Sequence, residues 1–311
     1  MTGRPAHIYS AESDGDAVTF AGSPGAGKIR RTRRSSALKI YPHAHTKRFK
    51  CWGSGALNEV WARHLLGDAV PAVHETWADS EAAYVNLEWI EGDPLDPATA
   101  QARQLTEAGR LLARIHSTSG SHWGALDGSH RFDELGAALE ARIAVATRLL
   151  TPYDSLLAEE FHRWTQRQLT EVSCAWPPTL VHGDYGAANL IWTCTGLKVI
   201  DWEFAHWGTP LEDWAMIRFA IRFPQPNSFG AAENLRYVEA GWQEVTGIPP
   251  PRDEKLEELL YAYYAASLGV FFASQPNDRI EWLSSFLERR VRGGGARGTR
   301  AAVHATSRRE P

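Results

Sequence analysis

The sequence of this 311-residue chain predicts an α+β fold in two lobes. Short β-type runs crowd into the first 90 residues, and helical periodicity dominates from Leu105 onward. Between them, Glu91-Gly-Asp-Pro-Leu-Asp-Pro97 is rich in turn formers. An N-terminal lobe of antiparallel sheet plus helix is therefore expected at residues 1–90, with 1–16 loosely held. A mostly helical lobe follows at 91–290, and a Gly/Arg-rich tail at 291–311 is expected to be disordered. With 43% hydrophobic residues, a chain of this length can bury a large core.

The elements follow in order. Val18-Thr-Phe20, Lys28-Ile-Arg-Arg-Thr32 and Ser36-Ala-Leu-Lys-Ile-Tyr41 read as strands, the last broken by Pro42. Leu57, Val60, Trp61, His64 and Leu65 recur at helical spacing, and Gly67 closes that helix as a C-cap. Ala83 to Ile90 is strand-like. Leu105, Ala108, Leu111, Leu112 and Ile115 form one apolar stripe, and two further amphipathic stretches fill 131–150 and 154–172. Short apolar strands then flank His182 to Asn189 and meet at the turn Thr195-Gly196, before helices running from Pro210 to Arg290.

Charge is unevenly spread although the net value is only −4. Ala17 to Asn58 holds nine Lys or Arg and no acid, whereas Asp201 to Glu288 holds fourteen Asp or Glu against six Lys or Arg. Such asymmetry suits a lobe that holds phosphates and another that meets a neutral or cationic partner; nucleic-acid binding is the competing reading. Three cysteines (Cys51, Cys174, Cys194) without metal-like spacing point to a reducing compartment. The first residues lack the apolar core of a signal peptide, and no apolar run approaches ~18 residues. A soluble, cytoplasmic monomer with no membrane partner is expected.

Gly22-Ser-Pro-Gly-Ala-Gly-Lys28 fits seven positions of a Walker A loop, but Ile29 stands where a Ser or Thr should bind magnesium. No helical pattern follows, so no helix N-terminus would face a phosphate. A hairpin turn fits better, with glycine supplying positive φ. Two roles stay open for it: an ordinary surface turn, or a loop covering nucleotide phosphates.

His182-Gly-Asp184-Tyr-Gly-Ala-Ala-Asn189, followed by Val199-Ile-Asp201-Trp-Glu203, carries the chemistry. Phosphoryl transfer from a nucleotide needs a carboxylate for the acceptor proton, and an amide and a second carboxylate for magnesium. Upstream, Lys39 interrupts an apolar strand and Glu59 follows twenty residues later, early in the next helix. A strand lysine held by a helix glutamate is how kinase-type folds position phosphates.

With Leu87-Glu-Trp-Ile-Glu-Gly92, Gly109-Arg-Leu-Leu-Ala-Arg-Ile-His116 and Gly208-Thr-Pro210-Leu-Glu-Asp213, these motifs stand in a telling order. Over residues 17–288 the chain resembles the aminoglycoside phosphotransferase and choline kinase family, protein-kinase-like small-molecule kinases. The resemblance implies a two-lobed protein-kinase-like fold that uses ATP (or GTP) and Mg2+. It implies Asp184 as catalytic base, Asn189 and Asp201 as metal ligands, Lys39 on the phosphates, and Glu59 as its partner. The backbone of Glu88, Trp89 and Ile90 would meet adenine, while His182 and Asp213 would brace the catalytic loop. Asp201-Trp202-Glu203 replaces Asp-Phe-Gly, His-Gly-Asp replaces His-Arg-Asp, and Ala-Pro-Glu is missing, so a protein substrate is not expected.

The resemblance implies a small-molecule hydroxyl as acceptor. The acidic excess after Asp201 suits a cationic one, such as an aminoglycoside or another antibiotic; the same acids also read as solvated helix faces. Trp202, Trp207, Trp214, Trp242, Tyr263 and Tyr264 could cage a quaternary ammonium, as in choline recognition, or simply pack a core. Choline, amino-alcohol and sugar acceptors therefore stay open, as does a nucleotide-binding pseudokinase scaffold. The basic stretch Lys28–Lys50 and the Arg-rich tail come without a recognition motif, so no specific nucleic-acid partner is expected.

Overall fold

The computed structural model describes residues 36–43, 54–172, 176–223, 228–271 and 278–292. The expected strands 18–20 and 28–32, the Gly22–Lys28 turn, Cys51, Cys174 and the tail after residue 292 lie outside the described residues.

In the N-terminal part, β1 (Ser36–Pro42), α1 (Gly55–Leu66), β2 (Val73–Ala78) and β3 (Ala82–Glu88) follow one another. The strands form an antiparallel sheet in the order β1-β3-β2, with Lys39 opposite Val85 and Ser36 opposite Glu88. Side chains alternate along a strand, so Lys39 shares a face with Tyr41. That face packs on α1, where Tyr41, Val85, Leu87 and Ala56 form a small core. Leu38 and Ile40 point the other way, onto Ala82 and Tyr84. β2 escapes the sequence reading because it is an edge strand with five of its six residues exposed, so it carries no buried alternation.

α1 ends at Gly67, whose φ of 57° needs no Cβ, as expected of a C-cap. Its buried face differs from the apolar stripe, however. Ala56, Asn58, Glu59 and Ala62 are buried, while Leu57 lies exposed. The helix turns its polar residues inward because partners await them there, as described below.

The rest is β4 (Asp93–Pro94), α2 (Ala102–His116), β5 (Trp123–Gly124), β6 (Arg131–Phe132), α3 (Leu135–Leu150), α4 (Ser155–Leu169) and β7 (Thr179–Val181). Then come β8 (Leu190–Thr193), β9 (Gly196–Val199), β10 (His206–Gly208), α5 (Pro210–Arg222), α6 (Ala232–Thr246), α7 (Glu254–Phe271) and α8 (Asp278–Arg292). β4, β8 and β9 form one small sheet; β6, β5, β10 and β7 form another. Two cores hold this part together. One joins α3, α4, α5, α7 and α8 through Ile143, Phe161, Phe219, Leu260 and Leu287. The other joins α2 and α6 to the short strands through Leu112, Leu180, Leu190, Trp202, Trp214 and Trp242. α5 supplies residues to both, so it is the element that fixes the short strands against the helices. No described helix is long and apolar enough to cross a membrane.

Candidate active site

The loop after β7 is held from behind by α5. That helix starts where Pro210 occupies its first turn and Thr209 and Glu212 form a capping box. This puts Asp213 in the first turn, where its carboxylate accepts the backbone N–H of His182 at 2.9 Å and of Gly183 at 2.8 Å. His116, at the end of α2, donates its Nε2–H to the same carboxylate at 2.9 Å. Burial alone would raise the Asp213 carboxyl, but the hydrogen bond from His116 and the nearby His182 hold it below the usual range. Gly183 has φ +81°, and a Cβ there would meet Phe204 O at 2.7 Å, so only glycine fits.

His182 joins the two halves of the motif. Its Nδ1 accepts the Asp184 N–H at 3.2 Å and its Nε2 donates to Ile200 O at 3.0 Å. One acceptor and one donor make this a neutral imidazole, and burial, outweighing Asp213, lowers its pKa accordingly. Asp184 and Asn189 are linked directly: the Asn189 amide donates to the Asp184 carbonyl at 2.9 Å and to its Oδ2 at 3.1 Å.

Asp201 follows β9 in a left-handed conformation, φ 68°, the non-glycine residue with positive φ among those described. Aspartate is one of the few side chains that tolerates this region. The turn after it is fixed by Trp202 Nε1–H to Val199 O at 3.2 Å and by Asn58, whose amide donates to Glu203 O at 3.0 Å and Ala205 O at 2.9 Å. The inward-facing Asn58 of α1 thus ties the N-terminal helix to the Asp201 turn.

Lys39 completes the group. Its Nζ lies 2.5 Å from Glu59 Oε1 and 2.7 Å from Asp201 Oδ1, and Tyr41 donates to Glu59 Oε1 at 2.8 Å. Burial works against the ammonium, yet the carboxylates of Asp201 and Glu59 outweigh it and hold Lys39 well above its ordinary pKa. Burial and the Glu59 charge likewise keep the Tyr41 hydroxyl protonated.

Glu88 ends β3, and Trp89 and Ile90 follow it. The Glu88 carboxylate accepts Ala72 N–H at 3.0 Å and lies 3.4 Å from Lys198 Nζ of β9. The chain then runs along β8, with Asp93 opposite Trp192 and Leu95 N–H on Leu190 O at 2.8 Å. The structure thus brings Lys39, Glu59 and Asp201 into contact, couples Asp184 to Asn189, and joins the two sets through His182. Tyr41, Asn58 and the role of His116 escaped the sequence reading. For Tyr41 a signal existed, since it lies two residues from Lys39 on the same strand face.

Asn189, through its amide oxygen, and Asp201 offer oxygen donors only, a chemistry that suits Mg2+ rather than a thiophilic metal. Among the described residues no group of three or more His, Cys, Asp or Glu could hold a metal. One carboxylate and one amide match an ion that keeps waters and phosphates as its remaining ligands. The aromatic residues do not form a cage: Trp202, Trp214, Trp242 and Tyr264 are buried core. The acids of α6 and α7 are solvated or paired, Glu239 with Arg252, Glu257 with Arg218 and Glu258 with Arg290.

The fold and this site define a protein-kinase-like phosphotransferase. The family model described as "Phosphotransferase enzyme family" matches residues 31–248, and the chain belongs to that family. Among curated proteins it is 30% identical to Protein StrN of Streptomyces griseus over 128 residues, 35% of this chain and 37% of StrN, so the match spans little over a third of that relative. It is 25% identical over 232 residues to a protein assigned as a ketoamine kinase in Enterococcus faecium, covering 70% of this chain and 78% of that one. Among solved structures, a protein assigned as a fructosamine-3-kinase in Haemophilus somnus superposes with a TM-score of 0.58 at 13% identity, over 82% of this chain and 83% of that one. A spectinomycin phosphotransferase in complex with ADP and spectinomycin superposes with a TM-score of 0.51 at 12% identity, over 90% and 88%. At such identities the structural likeness shows the fold.

Proposed function

We propose that this protein transfers the γ-phosphate of ATP, or of GTP, to a hydroxyl group of a small molecule in the cytoplasm. The observation that carries the reading is the pairing of two assemblies through His182: Lys39 with Glu59 and Asp201, and Asp184 with Asn189. In this reading Lys39 neutralises phosphate charge and is kept protonated and aimed by Glu59. Asp184 accepts the acceptor's proton as that oxygen bonds to the γ-phosphorus and the bond to the leaving nucleoside diphosphate breaks. Asp201 and Asn189 would hold Mg2+, which when bound offsets charge on the phosphate oxygens. Asp213 and His116 keep the Asp184 loop from drifting, and the backbone from Glu88 to Ile90 would meet the base. Most of the rate then comes from positioning and electrostatics.

For the acceptor we favour a cationic, aminoglycoside-like antibiotic, a reading supported by the fold shared with the spectinomycin phosphotransferase. A ketoamine acceptor is the second reading, favoured by the relative assigned as a ketoamine kinase, which aligns over 70% of this chain. Choline recognition loses its support with the burial of the tryptophans.

The test is phosphate transfer from labelled ATP to a panel of antibiotics, fructosamines, sugars and amino-alcohols. Asp184→Ala is expected to lower kcat on the order of 10²–10⁴-fold, the usual range for removing a general base. Turnover near wild type in that variant would remove Asp184 from the chemistry. Asp201→Asn is expected to shift the magnesium titration of activity, and an unchanged titration would count against its role.

A further inference from the structure

α3 buries one face through Leu139, Ile143 and Ala146, and Arg142 is buried among them. Replacing a buried ion pair by apolar residues is often neutral or stabilising, so stability alone does not call for a charge here. We propose that Arg142 is a positioning residue for phosphoryl transfer, acting through His206 and Glu212 on the Asp201 turn and the Asp184 loop together. This rests on the kinase reading of the site and adds the group that sets its two loops against each other.

One arm runs to the Asp201 turn. Arg142 Nη1 lies 3.0 Å from His206 Nε2. His206 Nδ1 lies 2.8 Å from Phe204 O, and because a carbonyl only accepts, Nδ1 carries the proton of that bond. Phe204 ends the turn Trp202–Phe204 that follows Asp201. The other arm runs to the Asp184 loop. The same Nη1 donates to Glu212 Oε2, while Glu212 Oε1 accepts Thr209 N–H at 3.0 Å in the capping box of α5. The next residue is Asp213, whose carboxylate holds the N–H groups of His182 and Gly183. His206 Nε2 and Glu212 Oε2, 3.0 Å apart, close the two arms on each other.

The junction has no slack. Arg142, His206 and Glu212 are all buried, and the ring of Tyr263 lies 4.9 Å from the guanidinium. A Cβ on Gly208 would run into both Glu212 Oε1 and His206 Nε2, so a single methyl there must displace them. α3 belongs to the helical core, whereas Tyr185 and Trp202, beside the two reacting aspartates, belong to the other. Arg142 therefore refers both loops to one helix. An error at this point changes the placement of Asp184 relative to Asp201, on which in-line transfer depends.

The experiment compares wild type with Gly208→Ala, Arg142→Lys, Leu139→Ala and the pair Arg142→Met with Glu212→Gln, which strands no carboxylate. Hydrogen exchange reads the loops directly. The amides of His182, Gly183 and Ala205 are expected to exchange about 10-fold faster in the paired variant and in Gly208→Ala. With labelled ATP against spectinomycin, aminoglycosides and fructosamines, kcat in those two should fall on the order of 10²-fold, while the ATP KM hardly moves. Arg142 reaches His206 and Glu212 from one nitrogen, so Arg142→Lys should recover most of the kcat. Leu139→Ala, on the same face of α3, should lower the melting temperature yet leave the loop amides and kcat near wild type. Unchanged exchange at the three amides overturns the proposal. So does faster exchange with wild-type kcat, a loss as large in Leu139→Ala, or an Arg142→Lys enzyme no better than the paired variant. Transfer that survives Asp184→Ala would instead overturn the kinase reading, whatever Arg142 does.

Discussion

Nζ of Lys39 lies 2.7 Å from Oδ1 of Asp201, a contact between residues 162 positions apart. It joins the N-terminal sheet to the turn after β9, and Asn58 adds a second tie from α1 to the same turn. The ammonium therefore serves two carboxylates at once, with Glu59 on its other side.

The first prediction follows from what Lys39 would leave behind. Glu59 is 3% exposed, so Lys39→Ala strands a buried carboxylate beside the Tyr41 hydroxyl that donates to it. Breaking a buried pair in this way costs on the order of 3–5 kcal/mol, readable as a drop in the urea midpoint. Lys39→Ala combined with Glu59→Leu should recover much of that stability but none of the nucleotide affinity. The raised Lys39 pKa also sets a sign. Its stabilisation is full below the unfolded value of about 10.4 and is lost only as pH climbs through the higher folded value.

The second prediction concerns Asp213 and His116, which touch no reacting atom. Asp213→Ala leaves two loop N–H groups without their acceptor, those of His182 and Gly183. A displacement of about 1 Å at Asp184 is enough to cost roughly 10²-fold in kcat. The ATP KM should stay put, since Lys39 and Asp201 are bound from elsewhere. His116→Gln keeps a donor toward Asp213 and should restore most of the kcat that His116→Leu loses. Equal kcat in the two His116 variants would mean that the ring only fills space.

The motif residues were legible because their chemistry depends on residue type and spacing along one short segment, and the helices of the second half because each buries one stripe. The face of α1 was not. Its apolar spacing through Leu57, Val60 and Trp61 points one way, while the burial of Asn58 and Glu59 is decided by Lys39 and by the Asp201 turn, partners distant in sequence. β2 had no buried alternation to read, and strands of two or three residues such as β5 and β10 exist only through their pairing.

The third prediction concerns acid. Glu212, at the start of α5, is wholly buried against Arg142 and His206. Burial would raise its pKa, but the charges of Arg142 and His206 bring it from 4.5 down to about 2. A depressed carboxylate stabilises the fold above its unfolded pKa and loses that effect as pH falls through its folded value. A depression of that size corresponds to roughly 3–4 kcal/mol, lost as the pH falls from 4.5 to 2. Glu212→Gln should lower the melting temperature at neutral pH, because Arg142 loses its charge partner. It should also flatten the fall in melting temperature from pH 5 to 3; a slope equal to that of wild type would show that other carboxylates govern acid unfolding.

The fourth prediction tests how closely α2 and α6 approach. They cross at two glycines. A Cβ on Gly109 would run into the Val238 carbonyl, and one on Gly241 into the Thr106 carbonyl, so neither helix can accept a methyl without moving its partner's backbone. Gly→Ala ordinarily favours a helix by ~1 kcal/mol. Here each substitution should instead destabilise by roughly 1–3 kcal/mol, the cost of overpacking. The double substitution should cost less than the sum, because one separation of the helices relieves both clashes. Activity should fall too: Ala108, next to Gly109, accepts the Tyr185 hydroxyl at 2.7 Å, and Tyr185 follows Asp184 directly. A Gly109→Ala enzyme with raised stability and wild-type kcat would show that the two helices have room to spare and that the Asp184 loop takes no support from α2 at this point.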